Sequence, residues 1–280
     1  MHLLRREDCS VASRNSDAPD AESPGLTPPE GGWSAWYLTD EDDVGESTEQ
    51  GIIVRLLLAA LAELARERGW ARSLVAGDQF FAWVEAHPLV RVSPDVYLLD
   101  DPPAPPYPGM WQTWRPGHPP PRFAVEVVSD RWQKDYRDAP RKYDQLGARE
   151  LVIFDPDAAT APRLRRVPLQ VYRRDASGTW TRVAAGPGPV HSAELDAWLV
   201  IVPGPRLRIA RDPAGLDLIP TADELAHDSR TIITNLLHAN AELRRENAEL
   251  RRENAELRRE HTARIDALEA MVARLLARQP

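Results

Sequence analysis

Three consecutive heptads near the C-terminus constrain the fold more than any other feature of the sequence. Residues 242–248 read ELRRENA, residues 249–255 repeat the same seven letters, and residues 256–262 read ELRREHT. A strict seven-residue repeat is typical of a helix that wraps around another helix. We therefore expect a coiled coil over residues 238–278, in a protein that works as part of an assembly.

The core positions of this repeat indicate how many helices assemble. The d positions hold leucine and the a positions hold asparagine: Leu243, Leu250, Leu257, Asn240, Asn247 and Asn254. Leucine at d with asparagine at a favours two parallel helices in register, so we expect a homodimer. A charged single helix, or a low-complexity expansion of the repeat, is the alternative interpretation.

Length and composition leave room for one globular domain before the repeat. The 280 residues divide into a disordered N-terminal tail (1–32), a domain (33–212), a linker and helix (213–237) and the coiled coil. The longest apolar run, Ile52–Ala62, is too short to span a bilayer. The charged N-terminus does not resemble a signal peptide. We expect a cytoplasmic protein with no membrane partner.

Charge and motif content exclude several classes of function. The formal net charge is −8, so a DNA-binding role requires a locally basic surface, a bound divalent metal, or both. The sequence contains no glycine-rich phosphate loop, dinucleotide fingerprint, GxSxG or HExxH motif, which argues against the commonest NTPases, dehydrogenases, hydrolases and zinc proteases. The single cysteine, Cys9, excludes an intrachain disulfide and a thiolate metal site.

The spacing of apolar residues predicts an α/β domain. Helical periodicity predicts a helix over residues 52–68, and short segments rich in valine and aromatic residues predict strands at 73–76, 79–84 and 90–99. Residues 102–121 hold nine prolines, so we expect an ordered loop or lid there rather than a helix or a central strand.

The second half of the domain contains the signature of a parallel crossover. Apolar strands at 123–128 and 151–154 flank a short helix that begins near Asp138, which predicts a right-handed crossover between parallel strands. Residues 169–173 and 179–183 flank an Ala-Ser-Gly turn and predict a hairpin.

Three polar side chains in this domain are candidates for chemistry. Glu126 lies inside an apolar strand, where burying a carboxylate is costly unless a metal or a cation pairs with it. Asp95 follows Pro94 at the start of another strand. Lys142 occupies the rim of the inner face of the short helix, beside Tyr143, and leans back toward the preceding strand. Simpler interpretations are a solvent-facing or arginine-paired glutamate, a Pro-Asp turn and a solvated lysine.

Together these residues indicate one chemistry. Two carboxylates at the ends of neighbouring strands can hold a magnesium ion through oxygen ligands. A nearby lysine can orient or deprotonate a water and offset the charge of a phosphate. This combination is typical of metal-assisted hydrolysis of a phosphodiester.

An ordered series of short motifs connects the sequence to a known family. The motifs are Pro94-Asp95-Val, Val125-Glu126-Val-Val-Ser129, Lys134-Asp135-Tyr, Lys142-Tyr143, Gly147, Arg149-Glu150 and Asp155-Pro156. In this series the sequence resembles the Uma family of putative restriction endonucleases, a branch of the PD-(D/E)XK nuclease superfamily. The segment Asp43–Ser47 before the first helix is similar to the N-terminal stretch of that family, and the resemblance covers roughly residues 35–220.

The resemblance implies a fold, a cofactor and a substrate. It implies a restriction-endonuclease-like mixed sheet flanked by helices, a magnesium or manganese ion, and DNA as the partner. Asp95 and Glu126 would be the metal ligands, Lys142 the catalytic lysine with Lys134 in reserve, and Glu46 an additional acid carried by a helix.

Three departures from the family pattern leave alternatives open. The position two residues after Glu126 is Val128 rather than lysine, and the slot four residues before Tyr143 is Ala139 rather than lysine. Near the first helix, where many relatives have histidine, this sequence has Glu49-Gln50. A catalytically inactive descendant, kept as a binding or assembly module, is therefore the rival hypothesis. A further rival is an interaction protein that docks its partner through the proline-rich loop at 102–121.

Overall fold

The computed structural model describes residues 25–39, 47–129, 132–161 and 166–276, with the backbone alone for the last two. The chain forms two compact units, Met1–Pro220 and Thr221–Pro280. The candidate Glu46 and most of the predicted N-terminal tail lie outside the described residues. Within that tail, the backbone N–H and C=O of Thr27 both hydrogen-bond to the side chain of Gln145, so ordered structure begins before residue 33.

The first unit contains twelve strands and four α-helices among its described residues. In chain order they are α1 (Thr48–Glu67), β1 (Ser73–Ala76), β2 (Phe80–Ala82), β3 (Arg91–Val92), β4 (Val96–Asp100), β5 (Met110–Gln112), β6 (Phe123–Val127), α2 (Trp132–Arg137), α3 (Ala139–Leu146), β7 (Glu150–Phe154), α4 (Pro156–Thr160), β8 (Leu169–Arg174), β9 (Trp180–Gly186), β10 (Val190–Ser192), β11 (Ala197–Val202) and β12 (Arg206–Ala210).

The main sheet has six strands in the order β1-β4-β6-β7-β8-β9. Strands β6 and β7 are parallel and the other neighbouring pairs are antiparallel, so the sheet is mixed. The predicted α/β class and the parallel crossover are confirmed, with α2 and α3 between the two parallel strands. The predicted hairpin is also confirmed as β8 and β9.

Two apolar layers cover the two faces of this sheet. On one face, Phe123, Val125 and Val127 pack with α1 and with the antiparallel sheet β10-β11-β12. On the other face, Ala124 and Val128 pack with α3 and with the small sheet β3-β2-β5. The alternation of side chains along β6 produces this division, and it places Glu126 on the face that α3 covers.

Helix α1 begins earlier than the apolar pattern predicts. Ser47 caps it, because the Ser47 side chain accepts a hydrogen bond from the backbone N–H of Gln50 at 3.2 Å. The helix therefore includes Gln50, a polar residue that precedes the apolar stripe. At the other end Gly69 has a φ of +67°, a conformation that suits glycine after a helix.

The proline-rich segment at 102–121 contains one short strand. Strand β5 pairs with β2 at the edge of the small sheet, and Trp111 within it is fully buried. An edge position agrees with the expectation that this segment cannot form a central strand. Tyr107 remains well exposed.

The first compact unit ends at Pro220. Ile219 is fully buried, and its backbone N–H donates to the carbonyl oxygen of Ile209 at 2.8 Å. An ion pair between Arg211 and Asp217 spans the intervening turn. These contacts attach the segment after residue 212 to the domain, where the sequence suggested a linker.

The second unit contains one long helix, α5 (Ala222–Leu276). Thr221 and Glu224 form a capping box at its start, with hydrogen bonds of 2.7 and 3.2 Å in the two directions. The leucines of the repeat are more than half exposed, and the side chains of Asn247 and Asn254 bond to backbone carbonyls of their own helix. Among the described helices, none is long and apolar enough to cross a membrane.

Candidate active site

A polar cleft of about 160 Å³ opens where β3, the turn before β4, β6, α1, α2 and α3 meet. Its lining includes the side chains of Gln50, Asp95, Glu126, Lys134, Asp135 and Lys142. Residues that are far apart in sequence therefore surround one small volume. With Asp138 and Arg91, four acids, two lysines and an arginine line the cleft, which makes it a candidate site for chemistry.

Asp95 is held in the turn that leads into β4. Its Oδ2 accepts a hydrogen bond from the backbone N–H of Val127 at 2.6 Å, and its Oδ1 accepts one from Nε2 of Gln50 at 3.2 Å. A Cβ atom at position 77 would lie 2.1 Å from the backbone oxygen of Asp95, so this close approach requires Gly77. The carboxylate is therefore fixed by a neighbouring strand and a helix together.

Glu126 faces the cleft from β6. Its Oε1 accepts a hydrogen bond of 2.6 Å from the hydroxyl of Tyr143, which lies fully buried on α3. The antiparallel register pairs Val96 with Val125, so the next pair along the two strands is Asp95 and Glu126. Among the residues that the structure describes, Glu126 bonds to Tyr143 rather than to an arginine, and its side chain is half-buried in the cleft rather than exposed to solvent.

The electrostatic environment of Glu126 disfavours its charged form. Burial raises the pKa of Glu126 well above the usual value, and the negative charges of Asp95 and Asp135 raise it further. The hydrogen bond from Tyr143 and the charge of Lys134 act in the opposite direction. A cation placed among these carboxylates would offset the repulsion and favour the ionised glutamate.

Lys142 is buried rather than solvated. Only 5% of the residue is exposed, so it belongs to the inner face of α3 and not to the rim where the sequence placed it. Its ammonium nitrogen lies 5.9 Å from the centre of the Trp36 ring. Burial lowers the pKa of Lys142 to about 8, with a further decrease from the charge of Lys134. This lysine can therefore exist partly as a neutral amine near neutral pH.

Helix α2 contributes Lys134 and Asp135 to the cleft. Burial raises the pKa of Asp135 to about 6, opposed by the charge of Lys134 and by a backbone hydrogen bond from Ser129. The next residue, Tyr136, anchors the helix, because its hydroxyl lies 2.7 Å from Oδ2 of the buried Asp155. The anchor holds α2 beside the carboxyl end of β7.

The structure brings together most of the residues selected from sequence and adds others. Asp95, Glu126, Lys142 and the reserve candidate Lys134 all line the cleft, whereas Glu46 is not among the described residues. Ala139, which stands where the family pattern has a lysine, also lines the cleft.

Sequence reasoning gave no role to Asp135 or Tyr143, and it noted Gln50 only as part of the pair that replaces a family histidine. Asp135 belongs to the Lys134-Asp135-Tyr motif, but nothing in the sequence distinguishes it from a surface residue. Tyr143 has the position of an ordinary core residue in its helix.

The donor set suits a hard divalent cation. Magnesium binds oxygen ligands and often uses only one or two carboxylates, with waters and substrate phosphates completing its shell. Asp95 and Glu126 supply such a pair. Among the residues that the structure describes, no group of three or more histidine, cysteine, aspartate or glutamate side chains is arranged to hold a metal ion. A metal here would therefore need water or substrate oxygens as further ligands.

Comparison with known proteins identifies one matching family. Residues 43–203 match the model of Uma2, described as "Putative restriction endonuclease". Among solved structures, the chain is similar to a putative nuclease of the DUF820 group from Anabaena variabilis, with 11% identity, a TM-score of 0.41, and coverage of 61% of this chain and 87% of that one. No curated protein is significantly similar to the chain.

Proposed function

The chain belongs to the Uma2 family of putative restriction endonucleases, and we propose that it is a metal-dependent endonuclease that hydrolyses phosphodiester bonds of DNA. One observation carries the proposal: Asp95 from a turn, Glu126 from a strand and Lys142 from a helix line one small polar cleft. Such a cluster opposes folding rather than stabilising the domain, because Lys142 is buried and the two acids are half-buried.

Asp95 and Glu126 would hold a magnesium or manganese ion. When bound, such an ion acidifies a coordinated water and neutralises charge on the phosphate. The protein contributes the fixed orientation of the acids: Asp95 through the Val127 N–H and Gln50, and Glu126 through Tyr143. Preorganised ligands lose little freedom when the ion binds.

Lys142 would act on the substrate side of the cleft. As an ammonium it places a positive charge next to the scissile phosphate, and as an amine it can accept a proton from the attacking water. Its lowered pKa, about 8, makes both forms accessible near neutral pH. Lys134, on α2 in the same cleft, supplies a second positive charge, which a DNA substrate needs in a chain of net charge −8.

Cleavage of supercoiled plasmid tests the function. Purified protein is incubated with magnesium, with manganese, or with a chelator, and the nicked and linear products are separated on a gel. We expect nicking that requires the divalent ion. The absence of nicking with either ion, on methylated and unmethylated plasmid and on single-stranded circles, would contradict the proposal.

A second candidate function is a catalytically inactive assembly module. Val128 and Ala139 favour it, because the family pattern has lysine at these two positions, and Val128 is buried in the core rather than facing the cleft. A retained metal site without a working lysine would bind manganese but leave DNA intact. Manganese calorimetry run beside the plasmid assay therefore distinguishes the two candidates.

We also propose that α5 joins two copies of the chain. Its repeat leaves the d-position leucines Leu243, Leu250 and Leu257 more than half exposed within one chain. Glu246 at a g position precedes Arg251 at the following e position, so two parallel helices in register would attract each other across the seam. A dimer suits an enzyme that cuts both strands of a duplex.

A further inference from the structure

Tyr143 has a polar contact that its packing role does not explain. The side chain is fully buried in the apolar layer of α3, where a phenylalanine would fill nearly the same volume. Its hydroxyl instead donates a 2.6 Å hydrogen bond to Oε1 of Glu126. Burying a hydroxyl is unfavourable without a partner, so the tyrosine is suited to this site because a carboxylate is there.

The bond acts on the orientation of Glu126. A glutamate side chain has three rotatable bonds, and on a strand its carboxylate can turn through several positions. The hydroxyl of Tyr143 engages one oxygen on the side of α3, while Glu126 itself lines the cleft. The bond therefore restricts the carboxylate to orientations in which its other oxygen is free to turn toward the cleft.

Helix α3 connects this contact to the lysine. Tyr143 follows Lys142 directly in the chain, and both side chains are buried against the sheet. One docked helix thus determines where the ammonium lies and how Glu126 is turned. Asp95 has a comparable arrangement, in which Val127 and Gln50 hold its two oxygens.

We propose that Tyr143 is a positioning residue that orients Glu126 for binding a divalent cation. The inference rests on the proposed function, because it assigns Glu126 a ligand role. Hydrogen-bonding groups behind metal ligands typically contribute tenfold to hundredfold to metal affinity. A tyrosine that served packing alone would contribute nothing measurable to that affinity.

The test is manganese binding by the full-length protein, measured by isothermal titration calorimetry. Tyr143→Phe keeps the ring and removes the hydroxyl, and we expect it to weaken manganese binding by about tenfold to hundredfold with little change in metal-free thermal unfolding. Tyr172→Phe is the matched control, because Tyr172 hydrogen-bonds to Gln170 and stacks on Trp180; it should bind manganese as the wild type does. Glu126→Gln should abolish binding.

The other possible results would contradict either the positioning role of Tyr143 or the ligand role of Glu126. If Tyr143→Phe binds manganese like the wild type while Glu126→Gln does not bind, Tyr143 is not a positioning residue and the metal role of Glu126 stands. If Glu126→Gln binds like the wild type, the ligand assignment in the proposed function is wrong. If Tyr143→Phe fails to fold, the hydroxyl is needed for the fold itself, and the specific role in metal binding is overturned.

Discussion

The carboxylate of Asp95 accepts a 2.6 Å hydrogen bond from the backbone N–H of Val127, the residue that follows Glu126 in β6. The bond connects the turn before β4 to the end of β6. It fixes one candidate ligand relative to the strand that carries the other, so the spacing of the two acids depends on backbone positions rather than on flexible side chains.

The Asp95→Asn variant should abolish metal-dependent cleavage. The asparagine oxygen can still accept the bond from Val127, whereas its amide nitrogen replaces the oxygen that accepts from Gln50, and the negative charge disappears. We expect plasmid nicking to fall by at least about a hundredfold, because losing a metal ligand removes several kcal/mol of transition-state stabilisation. Asp100→Asn is the control, since Asp100 lies at the other end of β4 and pairs with Arg122 and Arg149. Equal losses of nicking in Asp95→Asn and Asp100→Asn would argue against a specific role of Asp95 in catalysis.

Replacing Lys142 by methionine should stabilise the protein while removing its activity. Because its pKa falls from 10.5 to about 8 on folding, the folded state binds this proton more weakly than the unfolded chain. The ammonium therefore destabilises the fold below about pH 8, and stability recovers as pH rises toward 10.5. At pH 7, Lys142→Met should raise the free energy of unfolding by about 2 to 3 kcal/mol.

Urea unfolding and plasmid nicking of the two lysine variants check this prediction. The control is Lys134→Met, at an exposed position on α2, which should change the unfolding free energy by less than about 0.5 kcal/mol. If Lys134→Met loses cleavage and Lys142→Met keeps it, Lys134 is the catalytic lysine.

Moving the lysine by one helical turn should restore part of the activity. Ala139 and Lys142 both line the cleft from α3, and positions three residues apart share a helix face. We expect Lys142→Ala to abolish nicking and the double variant Ala139→Lys, Lys142→Ala to recover at least about a tenth of it, a cost of about 1.4 kcal/mol. Gln145→Lys in the Lys142→Ala background is the control, at a half-exposed position on α3 that does not line the cleft. No recovery would indicate that position 139 cannot serve the site.

The raised pKa of Asp135 should make the metal-free protein less stable as pH rises. Its pKa increases from 3.8 to about 6 on folding, so the folded state binds this proton more tightly. That contribution is complete below about pH 4 and disappears as pH passes through about 6. Glu126 changes stability in the same direction, because its pKa is also raised.

Denaturant unfolding in chelator between pH 4 and 7 measures this effect. Asp135→Asn should reduce the decline and stabilise the protein at pH 7 by about 1 to 3 kcal/mol. Asp228→Asn, on the exposed surface of α5, should leave the decline unchanged. If Asp135→Asn and the wild type show the same change in stability between pH 4 and 7, Asp135 does not cause the decline.

Charges introduced into the seam of α5 should separate a dimer into monomers. We expect sedimentation equilibrium of the wild type to give twice the chain mass of 31.4 kDa, and Leu243→Asp with Leu250→Asp to give the monomer mass. The matched control is Ala241→Asp with Ala248→Asp, at outward b positions of the same repeat. A wild type that is monomeric at tens of micromolar would exclude the proposed coiled-coil dimer.

Local patterns predicted much of the fold. The predicted strand Ser73–Ala76 coincides with β1, and the helix and strands around Glu126 lie within a few residues of their predicted bounds. The period of two along β6 correctly separated Glu126 from the face of Val125. Local patterns do not show contacts between distant segments, such as the bond from the backbone N–H of Ile219 to the carbonyl oxygen of Ile209.

The sequence by itself determined which residues are unusual for their surroundings: a carboxylate in an apolar strand, an aspartate after a proline, and a heptad repeat without a partner in the same chain. Only the tertiary structure decided what each of them meets. Lys142 is buried because of how α3 docks on the sheet, and Glu126 meets Tyr143 because a helix and a strand cross there. Periodicity indicates which face of a helix or strand a side chain occupies. The residue that it contacts there comes from another segment, and the distance between the two depends on the packing of the whole domain.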